Sequence, residues 1–171
     1  MFKKQMGFYQ IIAEQYLQAS REEAWSFLSD PGNLQLITPK AMQFEIRSGA
    51  EMPMFPGQLI SYRVSPFPGI RTSWVTEITH VREGAYFVDE QRFGPYRFWH
   101  HKHFVFSAEG GVHMRDVVDY ALPLGPLGSL AHSLLVRKQL TDIFRYRETA
   151  LADRFGSLPG KPAKLELHKL K

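Results

Sequence analysis

The sequence predicts an α+β domain. In it, a curved antiparallel sheet of about seven strands wraps around one long C-terminal helix, with two short helices after the first strand. Three observations carry this reading. Residues 43–122 break into regularly spaced strand-like segments separated by Gly- and Pro-bearing turns, the pattern of an antiparallel meander. A helical apolar stripe then runs to Gly156. Finally, 171 residues without a cysteine, 44% of them hydrophobic, suffice for one domain with a core and no covalent staples.

Residues 10–19 (QIIAEQYLQA) alternate apolar and polar side chains and are predicted as the first strand. Ser20 follows as a helix N-cap, with Glu23 at the capping-box position and Glu22 adding negative charge to the first turn. Ala24, Trp25, Phe27 and Leu28 give that helix its apolar side, and Asp30-Pro31-Gly32 stops it. A second short helical piece is expected over 33–38, before Pro39. Strands are expected over 43–47, 58–64, 71–81, 86–93, 98–106 and 112–122. Pro126 suits the first position of a helix over 127–155, whose stripe includes Leu127, Leu130, Leu134, Leu140, Phe144 and Leu151. Gly156 closes it as a left-handed cap residue would.

Such a sheet needs its apolar face covered, and at about 1.5 Å per residue only the last helix, about 40 Å long, can do so. A long helix gripped by a bent sheet cannot fill the whole concavity, so the gap is the expected ligand site.

Composition narrows the function further. The net charge is +4, and residues 161–171 hold four lysines against one glutamate, so the body is near neutral. A nucleic-acid partner would need a basic face on the folded domain with exposed stacking aromatics, and none is legible. The expected layout is one domain over 1–158 and a basic, solvated tail over 159–171. No run approaches about 18 apolar residues, so no stable membrane insertion is expected. Gln10, Glu14 and Gln15 interrupt the apolar residues after the basic start, unlike a secretory signal. The absence of cysteine removes thiolate chemistry and fits a reducing, cytoplasmic location. There is no G-x-G-x-x-G after a strand, no G-x-x-x-x-G-K-[ST] and no G-x-S-x-G, so nucleotide-dependent chemistry and serine hydrolysis have no support.

Four segments carry a resemblance: SREEAWSFLSDPGNLQLITP (20–39), FVDEQRFGPYRFWHHKHFVF (87–106), MRDVVDYALPLGPLG (114–128) and the closing helix. Over residues 10–156 the chain resembles the helix-grip superfamily of START-like and Bet v 1-like domains, called SRPBCC. It is most similar to the bacterial branch of ligand-binding or polyketide cyclase/dehydrase-like proteins. The resemblance implies the helix-grip fold and a hydrophobic cavity for a lipid or a ring-bearing ligand. It implies no cofactor and no metal. Because this scaffold hosts carriers, receptors and cyclases, it does not single out one activity.

The chemistry-bearing residues concentrate on the hairpin 98–122. On its first strand Trp99, His101, His103 and Val105 share a face, and on its second Met114, Asp116, Val118, Tyr120 and Leu122 do. The second set is mostly apolar and should face inward. A turn at Glu109-Gly110 would oppose His103 to Asp116, His101 to Val118 and Trp99 to Tyr120. A histidine beside a carboxylate in a dry cleft is either an acid–base pair or two buried polar groups satisfying one another. His103 and Asp116 are therefore the candidate catalytic residues.

The candidate ligand-binding set is Trp99, His101, His103, Asp116, Val118 and Tyr120, joined by Glu90, Tyr62 and Leu134. On strand 86–93 either Glu90 and Arg92 or Asp89 and Gln91 face in, and period alone does not choose. His101 and His103 form an H-x-H that could seat a metal only with a third ligand such as Glu90, Asp116 or a remote histidine. Of Arg137 and Lys138, one is expected to meet a sheet carboxylate or an acidic ligand. The apolar loop 52–57 and the turn 64–70 are lid candidates.

The leading function is a binding protein for a small hydrophobic or amphipathic ligand. The alternatives are a cyclase/dehydratase- or lyase-type enzyme using the His–Asp pair, and a protein-interaction module with a filled interior. The sequence leaves the oligomeric state open.

Overall fold

A computed structural model describes residues 7–67, 69–123 and 135–170. Strand β1 (Phe8–Leu17) leads into helix α1 (Arg21–Leu28) and two 3-10 turns (Pro31–Ile37 and Lys40–Met42). Strands β2 (Glu45–Ser48), β3 (Gln58–Phe67), β4 (Ile70–Arg82), β5 (Tyr86–Phe93), β6 (Phe98–Ala108) and β7 (Gly111–Ala121) form the meander. Helix α2 (Arg137–Phe155) and strand β8 (Lys164–Leu170) complete the chain. All pairings are antiparallel, in the order β2-β3-β4-β5-β6-β7-β1-β8. Among the described residues no helix is long and apolar enough to cross a membrane.

The local signals act as expected. Ser20 Oγ accepts from the Glu23 amide at 3.1 Å, and the Glu23 carboxylate accepts from the Ser20 amide at 2.8 Å. This capping box satisfies orphan donors at both ends of the first turn. Replacing Ser20 by Ala should therefore lower unfolding stability by about 1 kcal/mol, read from urea midpoints. No shift in midpoint would mean that water replaces the cap. Gly156 ends α2, but at φ 78° and ψ 147°, an extended positive-φ conformation in place of the expected left-handed helical one; a Cβ there would meet the Gln18 amide oxygen at 2.9 Å. The expected helix start over 127–134, with Leu127, Leu130 and Leu134, lies outside the described residues.

One expectation is corrected. Residues 159–171, read as a solvated tail, include β8, which pairs with β1 along seven positions from Phe8↔Leu170 to Glu14↔Lys164. Leu165 and Leu167 pack onto the core while Lys164, Glu166 and His168 stay exposed. The charges belong to the solvent side of an edge strand, where lysines also discourage pairing with another chain.

The buried residues form three apolar clusters. One lies under α1, around Leu17, Phe27, Val112 and Leu151. A second lies under the first half of α2, around Ile11, Val118, Tyr120 and Leu140. The third, Ile60, Tyr62, Val64 and Ile78, belongs to β3 and β4. The third cluster takes no residue from α2, and the gap left between it and the helix positions the site.

Candidate functional site

Between the concave face of β3–β6, the 3-10 segment and α2 lies a cavity of about 190 Å³. Its walls are chiefly apolar, from Ile60, Val64, Ile78, Phe87, Leu140 and Phe144 among others. Trp74 and Trp99 stand in the wall with rings crossed at 88° and centroids 5.3 Å apart. Tyr62 also lines it; burial pushes its phenol up, so it stays neutral across the physiological range.

One patch of this wall is polar, and the strand register builds it. On β5 the inward face is set by Phe87, so Asp89 two residues on also points in. Asp89 opposes His101, and Phe87 opposes His103. Across the next ladder His103 opposes Asp116, as the hairpin arithmetic anticipated, and Trp99 opposes Tyr120. From above, Arg147 of α2 reaches down between Phe144 and Leu151, a place on the helical stripe that would otherwise hold an apolar side chain.

The five groups form one cluster. His103 Nε2 lies 2.7 Å from Asp89 Oδ2, and its Nδ1 lies 2.9 Å from Asp116 Oδ1. His101 places Nδ1 3.6 Å from Asp89 and Nε2 3.3 Å from Asp116. The two imidazoles overlap with centroids 3.6 Å apart, and Phe87 stacks on His103 at 4.0 Å. Arg147 Nε is 3.2 Å from Asp116 Oδ2. Asp116, His101, His103 and Arg147 are all under 8% exposed.

Burial opposes every charge here, and the partners decide which survive. Burial would raise the Asp116 carboxyl, but the Arg147 guanidinium and hydrogen bonds from both histidines hold it well below the usual range. Burial would likewise raise Asp89, and the histidines outweigh it, so its carboxyl is lowered. For His103 burial disfavours the charged ring, yet hydrogen bonds to Asp116 and Asp89 prevail and its pKa is raised. His101 loses: burial and the charge of His103 push it down to about 4. Of the two imidazoles, His103 is therefore the one that keeps a positive charge to higher pH, beside the Arg147 guanidinium and the two carboxylates.

The structure sorts the candidate residues. Trp99, His101, His103 and Tyr62 line the cavity. Asp116 stands behind the histidines and holds them without lining the wall itself. Val118 and Tyr120 are fully buried under α2, Tyr120 against Tyr9 and Tyr96, because β7 lies beneath the helix and not beneath the gap.

Glu90 is turned to the opposite face, where it meets His100 at 3.0 Å and Arg92 at 3.1 Å. Of the two alternating pairs on β5, it is therefore the pair containing Asp89 that faces in. Leu134 lies outside the described residues. Arg137 and Lys138 are exposed, Lys138 pairing with Asp142 at 2.6 Å. The helix cation that meets a sheet carboxylate is instead Arg147; its helical spacing from Phe144 and Leu151 is the sequence signal for it, and the expectation for Arg137 or Lys138 passed over it. Of the lid loop 52–57, Met54 turns into the cavity while Met52 and Phe55 are exposed. Buried Gln58 secures this loop through the Gly49 carbonyl at 2.8 Å and the Phe55 amide at 3.2 Å.

No protein-family model and no curated protein matches the chain. Solved structures do. Protein CV1439 from Chromobacterium violaceum superposes with a TM-score of 0.66 at 12% identity, covering 87% of this chain and 99% of its own. TTHA0849 from Thermus thermophilus gives 0.64 at 17%, covering 85% and 95%. The ginseng major latex-like protein 151 from Panax ginseng gives 0.62 at 13%, covering 90% and 99%. At such identities the similarity speaks for the fold alone.

Proposed function

We propose that this chain, which has the Bet v 1-like helix-grip fold, binds a small hydrophobic or amphipathic ligand between sheet and α2. The cavity carries the reading. An apolar cavity of about 150 Å³ already admits benzene, and this one is larger, with one polar patch against which a ligand's polar end can be oriented. Affinity would come from apolar burial, at roughly 25 cal/mol per Å² before association costs. Asp89, His101 and His103 would supply orientation.

The cyclase/dehydratase- or lyase-type alternative draws on the 2.9 Å contact between His103 and Asp116. Against it, both nitrogens of His103 are held by carboxylates, so the ring could reach a substrate only after releasing Asp89. Binding makes no such demand. The interaction-module alternative presupposes a filled interior, and the cavity weighs against it.

The test uses the two tryptophans in the wall. Anilinonaphthalene sulfonate should quench their emission and gain its own by energy transfer, and fatty acids or fused-ring aromatics should displace it. Val64→Phe, which grows into the cavity, should weaken uptake about tenfold or more, equal to roughly 1.4 kcal/mol. It should leave the melting temperature within a few degrees, because the added ring occupies existing space. Native mass spectrometry of the purified chain should show a co-purified small molecule. Absence of both probe uptake and any co-purified molecule would sink the proposal.

A further inference from the structure

We infer that Asp89, His101 and His103 form a binding site for one borderline divalent transition metal, of the class of Zn²⁺, with an open coordination position facing the cavity. On sequence alone the H-x-H lacked a third ligand. The β5–β6 register supplies it, since Asp89 stands directly across from His101. One ligand atom from each residue lies within 4.8 Å of the others. Around a tetrahedral ion with bonds of about 2.0–2.2 Å, donor atoms stand roughly 3.3 Å apart. The distances from Asp89 Oδ2 to His103 Nε2, 2.7 Å, and to His101 Nδ1, 3.6 Å, bracket that spacing. Side-chain shifts within that 4.8 Å span would seat the ion, which would stand where His103 Nε2 now meets Asp89.

The surroundings support the assignment in three ways. Each histidine turns its other nitrogen to Asp116, at 2.9 Å from His103 and 3.3 Å from His101. A carboxylate behind a ligating imidazole sets its tautomer and raises its basicity. Arg147 holds Asp116 in turn at 3.2 Å, which fixes that carboxylate as the partner of both rings. Lastly, Asp89, His101 and His103 line the cavity whereas Asp116 does not, so a metal there would have three protein ligands and one position open to a cavity molecule. Two neutral imidazoles and a carboxylate suit Zn²⁺, Co²⁺ or Fe²⁺ better than Mg²⁺ or Ca²⁺.

The experiment needs no cavity ligand, so its failure leaves the binding proposal standing and the reverse holds too. The full chain, stripped with EDTA, is titrated with Co²⁺ and followed by visible absorption, then with Zn²⁺ in competition. One Co²⁺ per chain is expected, with the intense bands of a low-coordinate ion. Asp89→Asn and His101→Gln should each weaken binding about tenfold or more, and Asp116→Asn about 10–100-fold through the rings it orients. The double variant His100→Ala/His168→Ala, on exposed or outward-facing imidazoles, should bind like the parent. Circular dichroism checks folding, and His101→Gln stands in should Asp89→Asn not fold. The inference is overturned by a parent chain that binds no stoichiometric Co²⁺ or Zn²⁺. It is equally overturned by binding that survives Asp89→Asn and His101→Gln, or by binding lost with the surface histidines.

Discussion

Arg147→Ala should destabilise the chain by about 3–5 kcal/mol, measured by urea unfolding at neutral pH in EDTA. Arg147 is 7% exposed and its guanidinium is the permanently charged partner of Asp116, at 3.2 Å. Its removal leaves a buried carboxylate with only imidazole partners, and that uncompensated charge, more than the lost contact, sets the size of the effect. Two comparisons separate charge from packing. Arg147→Met keeps the length of the side chain and should recover only part of the loss. Arg147→Met combined with Asp116→Leu removes both charges and should be milder than Arg147→Met alone. The pH dependence has a definite sign. Asp116 is lowered in the folded chain, so the stability it gains from Arg147 is present above its unfolded value of about 3.9 and is lost as pH falls through the folded value. The gap between parent and Arg147→Ala should therefore narrow on acidification below about pH 4. A loss under 1 kcal/mol at neutral pH would show that solvent already reaches the cluster.

Truncation after Gly160 should cost about 2–5 kcal/mol, against under about 0.5 kcal/mol for a solvated tail. Leu165 and Leu167 pack on the core beside Ala13 and Ile11, their cross-strand partners, and each buried aliphatic side chain contributes about 1.5–3 kcal/mol when fully covered. Both are only half-buried, which sets the lower bound. The truncation also leaves β1 as a bare edge, and unpaired edges template association. Light scattering should therefore report concentration-dependent oligomers that the full chain lacks. An unchanged urea midpoint with monomeric scattering would mean that β8 adds nothing to the fold.

Both predictions concern residues whose charge conceals their role. The β8 sequence KLELHKL alternates with period two, and Leu165 and Leu167 are its inward positions; the lysines draw attention to charge and away from that alternation. Arg147 stands three residues after Phe144 and four before Leu151, a core position by helical spacing. Its burial depends on Asp116, which lies 31 residues earlier on a different element. Asp89 and Glu90 show the opposite situation. Both are carboxylates on one strand, and the face was settled by Phe87, whose ring packs inward against His103 at 4.0 Å.

Short-range physics made much of this protein readable from its residues. Caps, turn glycines and alternation act within a few positions, so the order of strands and helices, the capping box at Ser20 and the pairing of His103 with Asp116 across one tight hairpin were all legible. What lay beyond reach depends on contacts between distant segments. Docking α2 onto the sheet delivers Arg147 to Asp116 and divides wall from core, taking Tyr120 and Val118 into packing while leaving Trp99 and His101 on the cavity. Closing the edge at β1 turns a basic terminus into a strand. Each of these outcomes is set by which buried charge finds a partner and which apolar face finds cover, and neither is written in local sequence.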